Sequence, residues 1–154
     1  MPSEVMTVRV ERTDEFDVEP AQLWAFIADP ANRARAISVV ESFSIDSADG
    51  RRCTWEVTLP IPFFDRTATV ETYDRVREPP TNVEFVGQSS ALDVTGRHEI
   101  ADRDGGSQLR SEFVVEGRLP GVERYFTRKL DDELENLRRA AERAFEREST
   151  EGSA

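Results

Sequence analysis

His98 is the only histidine in this 154-residue chain and Cys53 the only cysteine, so the chemistry open to the protein is narrow from the start. One thiol excludes an internal disulfide and a CxxC site, and one imidazole excludes a histidine-rich metal centre. No metal and no cofactor is expected. The nucleophile elbow GxSxG, the phosphate-binding P-loop, the dinucleotide glycine pattern and the HExxH helix are all missing. Gly105-Gly106 reads as a turn rather than a phosphate cradle. What remains is proton transfer or hydrogen bonding by Glu41, His98 and Ser111, three polar residues that fall on otherwise apolar strand faces. A polar group among apolar neighbours needs a partner. Two readings stand for each. It is a polar anchor in an apolar ligand pocket, or an ordinary satisfied residue: Glu41 solvated at the rim, His98 neutral against a backbone carbonyl, Ser111 bonded locally. Cys53 sits in an apolar strand pattern and reads as a small buried residue.

The elements that position these groups follow from periodicity. Thr7 to Asp17 alternates weakly and reads as a first strand. Glu19-Pro20 opens a helix through Ala28, with proline where a missing N–H costs nothing and with Leu23, Trp24, Phe26 and Ile27 as its apolar side. Asp29-Pro30 interrupts it, and Ala31 to Ile37 forms a second short helical turn. Six strands are then predicted at Val39–Ile45, Arg52–Leu59, Arg66–Val76, Asn82–Val86, Leu92–Ala101 and Gln108–Glu116. Short connections, among them the Ser47–Gly50 turn and the Asp102–Gly106 hairpin loop, favour an antiparallel meander. A long helix from Val122 to Arg147 closes the chain, with Phe126, Leu130, Leu134, Leu137, Ala141 and Phe145 along one side. The fold class is therefore α+β: a curved antiparallel sheet of about seven strands around a C-terminal helix, with one or two short helices after the first strand. One domain spans residues 1–148, and 149–154 reads as a disordered tail.

Alternation assigns the inward faces. They are Val39, Glu41, Phe43 and Ile45; Cys53, Trp55, Val57 and Leu59; Ala68, Val70, Thr72 and Val76, with Tyr73 outside; Val83 and Phe85; Leu92, Val94, Gly96, His98 and Ile100; and Leu109, Ser111, Phe113 and Val115. A helix laid over such a sheet can leave a cavity. Its expected lining is Phe43, Trp55, Val70, Phe85, Phe113, Phe126 and Leu130, with Glu41, His98 and Ser111 as polar points. The proline-bounded stretch Pro60-Ile61-Pro62-Phe63-Phe64 is a second candidate, either a docking rim for a protein partner or part of the core.

Net charge is −11, which repels nucleic acid and anionic lipid surfaces. Of 20 basic residues only Lys129 is lysine. Acidic excess with almost no lysine fits adaptation to high salt, or an arginine-biased genome. No apolar run is long enough to span a bilayer, and Met1 to Val10 holds no apolar signal core, so a cytoplasmic protein is expected.

Three segments carry a resemblance. Phe16 to Pro30 is a strand running into a tryptophan-bearing helix that ends at Asp-Pro; Arg66 to Pro80 ends in paired prolines; the Gly-Gly hairpin is followed by Ser111 to Gly117 and the long helix. In this order they resemble the START-like, helix-grip superfamily (SRPBCC) of polyketide cyclases, lipid-transfer domains and pollen allergens, from about Met6 to Arg147. The ending Val114-Val115-Glu116-Gly117 is most similar to the group named for carbon monoxide dehydrogenase and its G-type subunit. The resemblance implies an apolar pocket under the last helix, a lipophilic ligand such as a lipid or quinone, and for that group recruitment of an oxidoreductase. It carries over no catalytic residue. Binding or transport of a lipophilic molecule leads the functional readings. A polyketide cyclase or dehydratase using Glu41 or His98, and an accessory protein docking an oxidoreductase, are the alternatives. Monomer and dimer stay open.

Overall fold

The computed structural model of the chain describes residues 6–61, 64–119 and 121–152, with side chains described for 7–59, 67–119 and 121–149. The strands are β1 (Met6–Phe16), β2 (Val40–Ile45), β3 (Arg52–Ile61), β4 (Phe64–Glu78), β5 (Asn82–Gln88), β6 (Leu92–Arg103) and β7 (Gly106–Gly117). The helices are α1 (Pro20–Ile27), α2 (Pro30–Ala36) and α3 (Val122–Gly152). The strands form one antiparallel sheet in the order β1-β7-β6-β5-β4-β3-β2. The chain thus starts at one edge, crosses by α1 and α2 to the other, and returns strand by strand. The sheet curves around α3, the expected helix-grip architecture.

Local chemistry explains the punctuation. Pro20 and Pro30 each open a helix rather than only ending one, because an N-terminal turn needs no proline N–H. The Asp29 carboxylate caps α2 by accepting from the Ala31 N–H at 2.9 Å. Gly105 supplies the left-handed residue of the β6–β7 turn, at φ 76°. Helix α3 runs through 149–152, which the sequence pattern assigned to a tail. Extending a formed helix needs only one residue's ordering per added hydrogen bond.

Inward faces follow the expected alternation along β3, β5, β6 and β7, and Tyr73 lies outside under the Arg52 guanidinium, 5.1 Å from its ring centre. Edge strand β2 departs from it. Val40 pairs with Val57 and Ser42 with Glu56, so Glu41 is an extra residue at a bulge. The bulge takes Glu41 out of the alternation, and it is exposed; Phe43 and Ile45 keep the expected face, opposite Trp55 and Cys53, but at the sheet edge Phe43 is only half-buried and Ile45 is exposed.

The core has two parts along α3. One, under its N-terminal half, holds Trp55, Val70, Phe85, Phe113, Val115, Phe126 and Leu130 among others. The other, under its C-terminal half, holds Phe16, Leu23, Phe26, Ile27, Leu137, Ala141 and Phe145. Phe145 meets Phe16 and Phe26 edge-on at 5.8 and 6.2 Å, so α1 plugs this end. At the first part, Val40, Phe43, Leu119 and Tyr125 are only partly covered.

Candidate functional site

A cavity of about 30 Å³ lies between α3 and the sheet in the first part of the core. Its wall is Trp55 and Val57 from β3, Val70 from β4, Phe85 from β5, Leu92 and Val94 from β6, and Phe113 and Val115 from β7. Phe126, Leu130 and Glu133 of α3 cover it, and Ile37 and Val39 close one side. Of the ten expected site residues, Trp55, Val70, Phe85, Phe113, Phe126 and Leu130 are brought together here. Phe43 packs at the margin with the Arg35 guanidinium 5.4 Å from its ring centre. His98 and Ser111 are buried but outside the wall. Glu41 is exposed on β2, so no Glu41–His98 acid–base pair is assembled.

Size decides what the cavity can do as it stands. A water needs on the order of 10–15 Å³ of such space, and an engineered cavity of about 150 Å³ takes up benzene. At about 30 Å³ the walls must move to admit any organic molecule.

Beside the cavity runs a buried polar layer, of which the sequence pattern revealed His98 and Ser111 but not Arg33, Asp74 or Glu133. Arg33 of α2 is 3% exposed and Asp74 of β4 is 1% exposed. One Arg33 nitrogen donates to the Asp74 carboxylate and the other to the Ile27 carbonyl at 3.0 Å. The second Asp74 oxygen accepts twice from Arg77, at 3.0 and 2.9 Å. Paired in this way, the charges bear their burial. Burial nevertheless pulls the Arg33 pKa below its ordinary value, against the opposing pull of Asp74. The guanidinium carbon also stands 5.1 Å from the Phe85 ring centre.

His98 is the second member of the layer. Its Nδ1 is 2.8 Å from Ser111 Oγ, across β6 and β7, while Nε2 has no partner among the described residues. The ring is packed near Phe85 and edge-on to Phe113, with centroid distances of 6.5 and 5.8 Å. Burial, and then the positive charge of Arg33, lower its pKa from 6.5 to about 3, so the imidazole is neutral.

Glu133 of α3 is the third member. It is 1% exposed, although the sequence places it in a run of acidic residues that reads as surface. Oε1 accepts from the Ser38 N–H at 3.0 Å, the Ser38 hydroxyl at 2.8 Å and Asn136 at 2.9 Å; Oε2 accepts from the Val39 N–H at 3.3 Å. The carboxylate therefore ties the turn between α2 and β2, which carries two cavity walls, to the helix that covers the cavity. The Tyr125 pKa is raised, by burial first and then by the negative charge of Glu133.

No group of acidic, histidine or cysteine side chains among the described residues could hold a metal ion. No helix among them is long and apolar enough to cross a membrane. The Pro60–Phe64 docking stretch lies outside the residues whose side chains are described.

Solved structures share this architecture. A START superfamily protein from Mycobacterium smegmatis superposes with a TM-score of 0.71 at 16% identity, over 90% of this chain and 97% of that one. A conserved protein from Geobacillus kaustophilus gives 0.72 at 12% identity, over 91% and 96%. The di-domain ARO/CYC StfQ from the steffimycin biosynthetic pathway gives 0.67 at 12% identity, with 88% of this chain on 50% of that one. No curated protein sequence matches the chain. The family model described as polyketide cyclase / dehydrase and lipid transport matches residues 7–142. That span holds the whole cavity wall and the polar layer beside it, and by it the chain belongs to the polyketide cyclase / dehydrase and lipid transport family.

Proposed function

We propose that the protein binds or carries a lipophilic small molecule between the sheet and α3. The observation that carries this reading is the cavity wall: apart from Glu133, every described residue on it is apolar, and the wall is built from five adjacent strands and the covering helix. Such a lining favours an apolar guest and gives no foothold to a charged one. The family is described as including lipid transport, which agrees. Because the cavity holds only about 30 Å³, binding is coupled to movement of the α2–β2 turn or of the N-terminal half of α3. Access is assigned to that end because the cavity lies there, with Ile37 and Val39 of the turn on its wall and Val40 and Phe43 beside them partly covered. The nearer likeness to the carbon monoxide dehydrogenase group, with a quinone as ligand and an oxidoreductase as partner, rests on the sequence motifs alone.

The cyclase or dehydratase reading asks for Glu41 and His98 in one cavity, and the exposure of Glu41 removes half of that pair. Native mass spectrometry of gently purified protein, with solvent extraction of what it carries, tests the binding reading. An apolar adduct released on denaturation is expected. A protein that carries none, and whose Trp55 emission does not respond to any lipophilic probe, refutes it.

A further inference from the structure

On the inner face of the sheet, side chains lie in rows across β5, β6 and β7. Gly87, Val94 and Val115 form one row, Phe85, Gly96 and Phe113 the next, and Val83, His98 and Ser111 the third. Successive rows are roughly 7 Å apart along the strands. The first two rows contribute to the cavity wall. The middle of the second row is a glycine, so no side chain of β6 stands between Val94 at the cavity and His98 below. The Phe85 ring fills that gap. A Cβ at Gly96 would come within 2.1 Å of Phe85 Cε1. The Phe85 ring thus lies over Gly96, between the rows that line the cavity and the row of His98.

The third row holds a buried polar atom with no partner among the described residues. His98 is 1% exposed, and Nε2 has no partner among the described residues. Buried polar groups without partners are rare and costly, and each calls for a reason. Nδ1 is occupied by Ser111, whose hydroxyl can both give and accept. If the hydroxyl accepts from Nδ1–H, Nε2 is a free acceptor; if it donates to Nδ1, Nε2–H is a free donor. The site therefore suits a hydroxyl or a carbonyl oxygen. It does not suit a carboxylate, because the nearest cation, Arg33, is already held by Asp74 and the Ile27 carbonyl.

We propose that the bound ligand displaces the Phe85 ring, passes over Gly96 and places a single neutral oxygen, a hydroxyl or a ketone, on His98 Nε2. This rests on the binding reading above and names the ligand class for it: a largely apolar molecule with one neutral oxygen at its deep end. His98 is a specificity residue in this account and not a catalytic one.

The lone histidine makes the test clean. Protein labelled with 15N-histidine, carrying Trp24→Phe so that Trp55 alone reports, is titrated with decane, 1-decanol, 2-decanone and decanoate. Trp55 emission reads binding, and the single pair of imidazole nitrogen signals reads His98. The expected result is that 1-decanol and 2-decanone shift the Nε2 signal at saturation and decane does not. The preference for 1-decanol over decane then falls about tenfold in His98→Phe, the order of one buried hydrogen bond. Decanoate binds weakest. If decane and 1-decanol both change Trp55 emission while Nε2 stays unmoved by either, the His98 assignment is overturned and the binding reading survives. If none of the four is bound, both fall. The nitrogen shift is read in protein with His98 intact, so the proposal remains falsifiable even if His98→Phe does not fold.

Discussion

Replacing Glu133 by alanine tests whether the α2–β2 turn is latched to α3 through this one carboxylate. The substitution removes the acceptor for the Ser38 N–H, the Val39 N–H, the Ser38 hydroxyl and the Asn136 amide. The Ser38 hydroxyl can rotate and Asn136 is half-buried, so those two find other partners. The two backbone N–H groups are fixed, and that of Val39 is buried. Each buried donor left unmet costs about 1–3 kcal/mol, and the expected total is about 2–4 kcal/mol once some water reaches Ser38. For a chain of this size that lowers the melting temperature by roughly 5–15 °C. Glu133→Gln keeps one acceptor for Ser38 but turns an NH2 toward the Val39 N–H, and should cost about half as much. Urea unfolding gives the energies, and native-state hydrogen exchange gives the location. The Ser38 and Val39 amides should lose protection in both variants while those of β6 and β7 change only through global unfolding. A loss below about 0.5 kcal/mol with the two amides as protected as before would refute the latch.

Three further outcomes follow from the buried layer and the surface charge. Asp74→Ala strands the Arg33 guanidinium in the core and should cost about 3–5 kcal/mol, whereas the double change Arg33→Met, Asp74→Leu should recover most of it; equal losses in urea titrations of the two would show that the pair is not coupled. The His98 pKa is about 3 folded and near 6.5 unfolded, so between these values the unfolded chain binds the extra proton and stability falls as pH falls. Between pH 7 and 5 the wild type should lose about 2 kcal/mol more than His98→Gln, and parallel pH profiles of unfolding for the two proteins would refute this. With 31 acidic residues against 20 basic ones, the melting temperature should keep rising from dilute to molar KCl, past the point where screening of exposed charges saturates; a flat or falling curve would reject adaptation to salt.

The order of elements, the strand faces and the α3 stripe were legible because each is a repeating signal over many residues. The site was legible where those signals continue unbroken, as at Trp55, Val70, Phe85, Phe113, Phe126 and Leu130. Glu41 was misread because it is itself the inserted residue of the β2 bulge, which drops out of the alternation while Phe43 and Ile45 keep it, and a bulge has no compositional mark there. Glu133 and Asp74 were missed for a different reason. Glu133 falls three residues after Leu130 and four before Leu137, squarely on the buried stripe. Asp74 continues the inward run of Ala68, Val70 and Thr72. Position marked both as buried, and residue type argued the reverse. What resolves such a conflict is the partner, and Arg33 lies 41 residues from Asp74, and Ser38 lies 95 from Glu133. No local pattern reaches that far.

The polar layer also explains why the core is unequal along α3. Packing alone fixes the helix by shape, and hydrogen bonds add a directional constraint that apolar contacts lack. Arg33, Asp74, His98, Ser111 and Glu133 interrupt the apolar contacts, and the hydrogen bonds of Glu133 give α3 one register against the α2–β2 turn. Beyond the layer, α1 and the Phe16–Phe26–Phe145 cluster seal the C-terminal half of α3. On the near side, the wall that must yield to a ligand is fixed to α3 by a few hydrogen bonds at Ser38 and Val39, and its margin is only partly covered. Opening on that side breaks directional contacts at a single turn, while the sealed end keeps the fold. On the proposed binding reading, this division is what lets a domain with only about 30 Å³ of free space open for a guest.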